Sequence, residues 1–341
     1  MNQYYDVNQH KIDFNPENLI KYLGGGNVQI TRITSGQSNP TYCVEHKGIK
    51  MALRKPPSGN KLPSAHAIDR EYRVMSALAD GEVPVPKMLY FEANSDVLGS
   101  PFMMMEWLDG DVVADSDLPT FKPSARTKVY ENSAKVLAAL HNVDWQSVGL
   151  GKFGRSEFFF KRHVERWARQ WKLSKTREDK NIEELIIWLG DNIPKEAHTS
   201  IVHGDFRIGN LMLAKGSSSI IGVLDWELST IGCPMSDLAH FCCFWDLTGE
   251  QLGGLAGIDI QSLGIPSRQN FIRSYRAFGG VDLPLLPFHR AFALFRLAII
   301  FEGIAARNKT GQASGKEAES VGALSAACAS LAINVLSENS I

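Results

Sequence analysis

The sequence predicts an α+β chain with two lobes, a small lobe rich in strands followed by a larger, mainly helical lobe. Up to about residue 107, short apolar strands predominate, together with a long amphipathic helix. Beyond that point helical patterns dominate, and strands return only near residues 200–225. With 341 residues, the chain can form two domains or one two-lobed domain.

Turn residues and apolar spacing define the elements of the small lobe. Asn15 followed by Pro16 is typical of a helix start. Ser64 is expected to cap a helix whose apolar residues, Ile68, Tyr72, Met75 and Ala79, recur at helical spacing. We expect a hinge at 106–110, between a nucleotide-binding lobe of residues 1–105 and a catalytic lobe of residues 111–341. The strands of the small lobe are expected at 28–33, 41–45, 50–54 and 102–107.

The large lobe is predicted to be helical except for one group of short strands. The expected strands are 200–202, 211–213 and 220–224, and a polar turn at 215–218 joins the last two into a hairpin. Helices are expected at about 124–143, 157–173, 181–192, 236–246, 267–278, 287–307 and 315–336.

Composition excludes several classes of protein. Hydrophobic residues make up 44% of the chain, charged residues 21%, and the formal net charge is −1, so nothing indicates binding to nucleic acid or to a membrane surface. No apolar stretch is long enough for a transmembrane helix, and no signal peptide is evident. The five cysteines are scattered without a C-x-x-C pair, so we expect reduced thiols in a cytoplasmic protein rather than zinc or disulfides.

Two segments carry the most specific chemical signal, HGDFRIGN at 203–210 and VLDWE at 223–227. Asp205 stands five residues before Asn210, and Asp225 follows fifteen residues later at the end of an apolar run. The predicted hairpin places Asn210 and Asp225 at the ends of neighbouring strands, close enough to share a cation. Phosphoryl transfer from a nucleotide needs one carboxylate to orient and deprotonate a hydroxyl, and oxygen ligands to hold Mg²⁺ on the phosphates.

These motifs resemble those of the aminoglycoside phosphotransferase and choline kinase family of small-molecule kinases. The longer segments around these motifs, HGDFRIGNLM and VLDWELSTIGCPMSDLAHF, look most like the branch of the family whose kinase-like domain is sometimes fused to acyl-CoA dehydrogenases. The resemblance implies a protein-kinase-like fold and the use of ATP and Mg²⁺. It also implies that Asp205 is the catalytic base and that Asn210 and Asp225 are the metal ligands.

Residues around these three have expected supporting roles. Arg207 is a candidate to steer a phosphate or an acidic substrate. His203 is expected to support the loop rather than carry protons, and Glu227 to lie near the metal. Asp237 is expected either to cap a helix or to anchor the backbone of the catalytic loop.

The sequence is less specific about the residues that contact the nucleotide. The loop containing Ser35, Gly36, Gln37 and Ser38 joins two strands and could place backbone N–H groups over phosphates, although it has one glycine instead of three. The pattern G-x-x-x-x-G-K-[ST] does not occur, so the P-loop class is not supported. By position, the backbone groups of Glu106 and Leu108 are expected to hydrogen-bond the adenine, as the resemblance implies.

Met51-Ala52-Leu53-Arg54 occupies the place of the kinase V-A-I-K strand. Strand alternation puts Arg54 and Lys55 on opposite faces, and Arg54 is the preferred contact to the phosphates, with Lys55 as the alternative. Glu71, on the following helix, is expected to pair with the strand cation and fix its direction.

The acceptor is suggested by charge alone. In the helix predicted at 157–173, apolar residues recur on one face, while Arg162, Arg166 and Arg169 share another. Either this is a solvated basic face, or it attracts an anionic acceptor such as a CoA thioester. Arg296 lies in so apolar a run that we expect it to have a partner or a ligand.

The sequence therefore predicts a Mg²⁺- and ATP-dependent kinase that phosphorylates a hydroxyl group of a small molecule, with a hydroxyacyl-CoA or hydroxy acid as the suggested acceptor. One alternative is an aminoglycoside kinase, although a polycationic substrate would favour an acidic cleft. Another is a catalytically weak pseudokinase that serves as a binding module, which the single-glycine loop and Arg54 keep open. A protein kinase is disfavoured because no A-P-E segment follows Asp225.

Overall fold

A computed structural model describes residues 12–33, 39–57, 68–309 and 317–337. The small lobe is built on a five-stranded antiparallel sheet with the order β1-β2-β3-β5-β4. Its strands are β1 (Val28–Ile33), β2 (Thr41–His46), β3 (Ile49–Arg54), β4 (Met88–Glu92) and β5 (Phe102–Glu106). Helix α1 (Pro16–Tyr22) precedes the sheet, and α2 (Ile68–Leu78) lies between β3 and β4.

Alternation along the strands divides this sheet between two cores. Leu53 and Met104 are fully buried in a cluster that includes Leu19 of α1. Ala52 and Met103 point the other way and join the core that continues into the large lobe. Successive side chains of a strand point to opposite faces, so this pattern places Arg54 on the same face as Ala52, towards the large lobe.

The large lobe is mainly helical and contains two small sheets. Strand β7 (Ser200–Val202) pairs with β10 (Thr230–Gly232), and β8 (Leu211–Ala214) lies between β6 (Gly110–Val112) and β9 (Ile220–Val223). The helices are α3 (Pro123–Asn142), α4 (Phe159–Ser174), α5 (Lys180–Asp191), α6 (Met235–Cys242), α7 (Arg268–Ala277), α8 (Pro287–Lys309) and α9 (Glu317–Ser337).

The predicted fold class is confirmed: a β-rich N-terminal region is followed by a larger helical region. The strands β4, β6 and β10 were not predicted, and the helix expected at 236–246 ends at Cys242 and continues as a short 3-10 turn, Cys243–Trp245. The division at 106–110 stays a prediction. Within the described residues, no helix is long and apolar enough to cross a membrane.

Candidate active site

The loop after β7 is anchored by Asp237 of α6. The backbone N–H groups of His203 and Gly204 donate to the two oxygens of Asp237, at 2.6 and 2.8 Å. Gly204 has a φ of +86°, and a Cβ there would lie 2.6 Å from the carbonyl oxygen of Leu228. A side chain at position 204 is therefore excluded by both backbone conformation and space. Of the two roles expected for Asp237, the structure shows the anchor, since α6 has no side-chain cap.

His203 connects the two halves of the motif. Its Nδ1 accepts the backbone N–H of Asp205 at 3.1 Å, so the proton is on Nε2, which donates to the carbonyl of Leu224 at 2.9 Å. The residue is fully buried against Trp226. His203 thus has the supporting role that the sequence predicts, and it ties the loop of Asp205 to the chain just before Asp225.

Asp205 is held at both carboxylate oxygens. Its Oδ2 accepts the side-chain amide of Asn210 at 2.8 Å, and its Oδ1 lies 2.7 Å from Nε2 of His240. Burial acts to raise the pKa of Asp205, but the hydrogen bond from His240, together with the charges of Arg207 and Arg296, outweighs it and lowers the pKa. The carboxylate is therefore ionised at neutral pH, and it is 26% exposed, as access by a substrate requires.

His240 is a site residue that sequence reasoning missed. It is fully buried, and burial followed by the charge of Arg296 lowers its pKa despite the opposing effect of Asp205. A neutral imidazole donates its Nε2–H to Asp205 and holds that carboxylate in one orientation. The available signal was spacing, because His240 stands three residues after Asp237 and so shares a helix face with it.

Arg207 lies beside the same carboxylate without a hydrogen bond to it. Its Nε is 3.7 Å from Oδ2 of Asp205, and its side chain is 29% exposed. A Cβ on Gly209 would lie 2.7 Å from Nη1 of Arg207, so the glycine leaves space for the guanidinium.

Asn210 and Asp225 lie at the ends of neighbouring strands, as the hairpin predicts. Leu211 pairs with Val223 across β8 and β9, and the N–H of Leu224 donates to the carbonyl of Asn210 at 2.9 Å. Asp225 has the left-handed backbone conformation, with φ 66° and ψ 59°, a strain typical of functional positions. The amide nitrogen of Asn210 is committed to Asp205, so its oxygen is the atom that would face a cation. Together with the Asp225 carboxylate, this is an oxygen donor set suited to Mg²⁺.

Arg54 bridges the two lobes. Its Nη2 donates to Oδ1 of Asp225 at 2.7 Å, and its Nε lies 3.0 Å from Oε2 of Glu71. Glu71 also accepts the side-chain amide of Asn39 at 2.8 Å. Lys55 instead lies on the other side, fully buried with its Nζ 3.0 Å from Asp13. The structure thus brings Arg54 and Glu71 into the site and leaves Lys55 outside it.

Opposing effects act on the pKa of Glu71. Burial raises its pKa to about 7, against the lowering effect of Arg54, while Asp225 and Glu227 add to the increase. Glu227 therefore lies within electrostatic reach of this group, beside the expected metal position. The ion pair with Arg54 is complete only where Glu71 is ionised.

The other predicted nucleotide contacts are less defined. Ser35, Gly36, Gln37 and Ser38 lie outside the described residues. Glu106 is placed at the end of β5, where its N–H donates to the carbonyl of Lys87 at 2.9 Å and its carboxylate accepts the N–H of Lys87 at 3.0 Å. An adenine would therefore have to use the carbonyl oxygen of Glu106, with Leu108 two residues further along the hinge.

Helices α4 and α6 both pack against α8. The apolar face predicted for α4 is confirmed, since Phe160, Val164, Trp167 and Trp171 are buried. On its basic face Arg166 and Arg169 are exposed, while Arg162 donates to the backbone carbonyls of Glu157 and Arg155. Arg296 of α8 is 5% exposed.

Residues 29–271 match the protein family described as the phosphotransferase enzyme family. The chain belongs to that family. The predicted resemblance is therefore confirmed, and the chain is a phosphotransferase by membership.

Relatives support the branch as well. Acyl-CoA dehydrogenase family member 10 of Mus musculus is 39% identical over 92% of this chain and 30% of its own length. Acyl-CoA dehydrogenase family member 11 of Homo sapiens is 34% identical over 91% of this chain and 40% of its own length. The chain thus spans well under half the length of these curated relatives.

Solved structures share the fold. A Ralstonia eutropha protein, assigned provisionally as an aminoglycoside phosphotransferase, is 36% identical with a TM-score of 0.85, covering 95% of this chain and 99% of that one. A thermostable aminoglycoside phosphotransferase APH(4)-Ia in a ternary complex with AMP-PNP and hygromycin B has a TM-score of 0.61 at 15% identity, covering 95% and 98%. The ethanolamine kinase of Plasmodium vivax has a TM-score of 0.59 at 13% identity, covering 90% and 82%. The last two show the fold alone.

Proposed function

We propose that this protein transfers the γ-phosphoryl group of ATP to a hydroxyl group of a small acyl compound, a hydroxyacyl-CoA or a hydroxy acid. The observation that carries the proposal is the arrangement of Asp205, Asn210 and Asp225. An ionised, partly exposed carboxylate is fixed next to an amide, and a second carboxylate lies at the end of the neighbouring strand. These are the groups that phosphoryl transfer to a hydroxyl requires.

Asp205 would accept a hydrogen bond from the acceptor hydroxyl and orient its oxygen towards the γ-phosphorus. As the new O–P bond forms and the bond to the departing ADP breaks, the hydroxyl proton passes to Asp205. Arg54, directed by Glu71, would contact the phosphates, and Arg207 lies where it could stabilise charge on the transferred group. Asn210 and Asp225 would hold Mg²⁺, which neutralises phosphate charge when bound.

Two observations support the acyl acceptor. The relatives in mouse and human carry acyl-CoA dehydrogenase names. Arg207 and Arg296 of α8 also act on Asp205 with their positive charge, which suits an anionic compound better than a polycationic aminoglycoside. Use of ATP is supported by the AMP-PNP complex of a phosphotransferase with the same fold.

The proposal is tested by following phosphate transfer and analysing products by mass spectrometry. The purified protein is given Mg·ATP or Mg·GTP with hydroxyacyl-CoA thioesters, free hydroxy acids or an aminoglycoside, and Asp205→Asn serves as the control. We expect a gain of one phosphoryl group on an acyl compound, with ATP and Mg²⁺, in the parent only. Phosphorylation of the aminoglycoside alone would support the antibiotic kinase, and nucleotide binding without transfer to any acceptor would support the pseudokinase.

A further inference from the structure

Arg296 is buried without hydrogen-bond partners at two of its three nitrogens. Its Nε and Nη2 have none among the described residues, although the residue is only 5% exposed. A guanidinium stays protonated in proteins, and a buried charge without partners is costly. The contrast is Arg126, also buried, whose Nε, Nη1 and Nη2 donate to the carbonyls of Leu118, Leu263 and Pro119.

The acidic groups near Arg296 are oriented by hydrogen bonds to other groups. Asp205 and Asp237 are close enough to raise the pKa of Arg296, against the larger lowering effect of burial. Both oxygens of Asp205 are committed to His240 and Asn210. Both oxygens of Asp237 accept backbone N–H groups of the catalytic loop. The Nε and Nη2 donors of Arg296 therefore remain unused among the described residues although two carboxylates lie nearby.

Packing places Arg296 at the level of the basic face of α4. Helices α4 and α8 run side by side in the same direction, because Phe160 packs on Phe292 with ring centroids 5.2 Å apart, and Thr176, just beyond α4, donates to Glu302 at 2.6 Å. Along α8, Arg296 lies between these two contacts. Its effect on the pKa of His163 and that of Arg166 on its own pKa agree with this position.

We infer that Arg296 is a specificity-determining residue for the acceptor, and that its unused N–H groups bind a carboxyl-derived oxygen, either a thioester carbonyl or a carboxylate. This inference rests on the proposed function. With the acyl oxygen on Arg296, the hydroxyl of the same molecule is directed towards Asp205. The buried charge gains a partner, and its repulsion with Arg166 is reduced.

The experiment uses Arg296→Met, with Arg290→Met as the matched control. Arg290 lies on the same helix but donates to Asp246 at 2.8 Å, so it has a partner within the chain. Binding of 3-hydroxybutyryl-CoA, 3-hydroxybutyrate, free CoA and 1,3-butanediol is measured by calorimetry with Mg·AMP-PNP present. The first two probes carry the acyl oxygen, and comparing them distinguishes thioester from carboxylate.

We expect Arg296→Met to weaken binding of at least one acyl probe by about 10- to 100-fold, the range for a hydrogen bond to a charged group, and to leave the other two probes unchanged. Arg296→Lys should retain part of the affinity. The control Arg290→Met should bind every probe like the parent protein. Thermal unfolding gives a second measure: because the methionine removes an unpartnered buried charge, Arg296→Met should unfold at an equal or higher temperature.

Three results would overturn the inference. The first is that the parent protein binds neither acyl probe, and the second is that Arg296→Met binds the acyl probes with unchanged affinity. The third is that Arg296→Met unfolds at a lower temperature and loses affinity equally for every probe, which would make Arg296 a structural counter-ion. Mg·AMP-PNP binding in the same samples separates the two proposals. If the nucleotide does not bind, the proposed function fails; if it binds and acyl affinity is insensitive to Arg296, only the inference fails.

Discussion

One arginine lies on each side of the proposed site, Arg54 with a side chain 14% exposed and Arg296 with 5% exposed, and the two differ in their hydrogen-bond partners. On the nucleotide side, Arg54 is held by Glu71 and Asp225. On the proposed acceptor side, Nε and Nη2 of Arg296 have no hydrogen-bond partner among the described residues, and the carboxylates of Asp205 and Asp237 accept hydrogen bonds from other groups. Arg54 thus has carboxylate partners within the chain, whereas Arg296 has donors that the proposed acceptor would use.

The largest effect is expected from replacing Asp205, the group proposed to react with the acceptor hydroxyl. Asp205→Asn keeps the shape but loses the proton acceptor, so kcat should fall by about 10²- to 10⁴-fold. The affinity for Mg·AMP-PNP should change little, because Asp205 is not among the expected nucleotide contacts. Rates from phosphate transfer and dissociation constants from calorimetry check both parts, and an Asp205→Asn enzyme with parental kcat would contradict the assigned role.

Removing the anchor of the catalytic loop should cost stability as well as activity. Asp237→Ala leaves the N–H groups of His203 and Gly204 buried without acceptors, which we expect to lower the free energy of unfolding by about 3 kcal/mol. Ser236→Ala is the control, since the Ser236 hydroxyl is buried without a hydrogen-bond partner in the described part of the chain. Denaturant titration measures both, and equal midpoints would show that Asp237 is not an anchor.

The contribution of Glu71 to the stability of the fold should depend on pH. Glu71 has a pKa of about 7 in the fold and an ordinary value near 4.5 when unfolded, so the folded state holds the proton more tightly. Its contribution to stability is therefore complete below pH 4.5 and is lost as the pH rises through 7, by on the order of 1–3 kcal/mol. Glu71→Gln should remove this slope from the free energy of unfolding measured between pH 5 and 8. A slope identical to that of the parent would exclude Glu71 as its source.

The smallest effect concerns the orientation of Asp205. His240→Phe removes the Nε2–H donor, so kcat should fall by about 10-fold, the value of one hydrogen bond to a charged group. Because His240 lowers the pKa of Asp205, its loss should also move the acidic limb of the kcat–pH profile to higher pH. His240→Gln can donate an N–H from a similar position and should restore part of the rate. A profile unchanged in shape and position would limit His240 to packing.

The sequence predicted those features of the site that depend on residues close together along the chain. The meeting of Asn210 and Asp225 followed from the hairpin, and the separation of Arg54 from Lys55 followed from strand alternation. The hydrogen bond from His240 to Asp205 and the unused donors of Arg296 could not be predicted, because they depend on how α6 and α8 pack against the loop. The strands β6 and β10 were missed because each pairs with a segment distant in sequence.

The central claim is that Asp205 and Asp225 divide the work, one acting on the acceptor and the other holding Mg·ATP. The most direct test is a calorimetric titration of Mg·AMP-PNP into the parent, Asp205→Asn and Asp225→Ala, repeated without Mg²⁺. We expect the parent and Asp205→Asn to bind alike in the presence of Mg²⁺, and Asp225→Ala to bind about 100-fold more weakly because a metal ligand is lost. Parental affinity in Asp225→Ala, or binding by the parent that does not depend on Mg²⁺, would contradict the account.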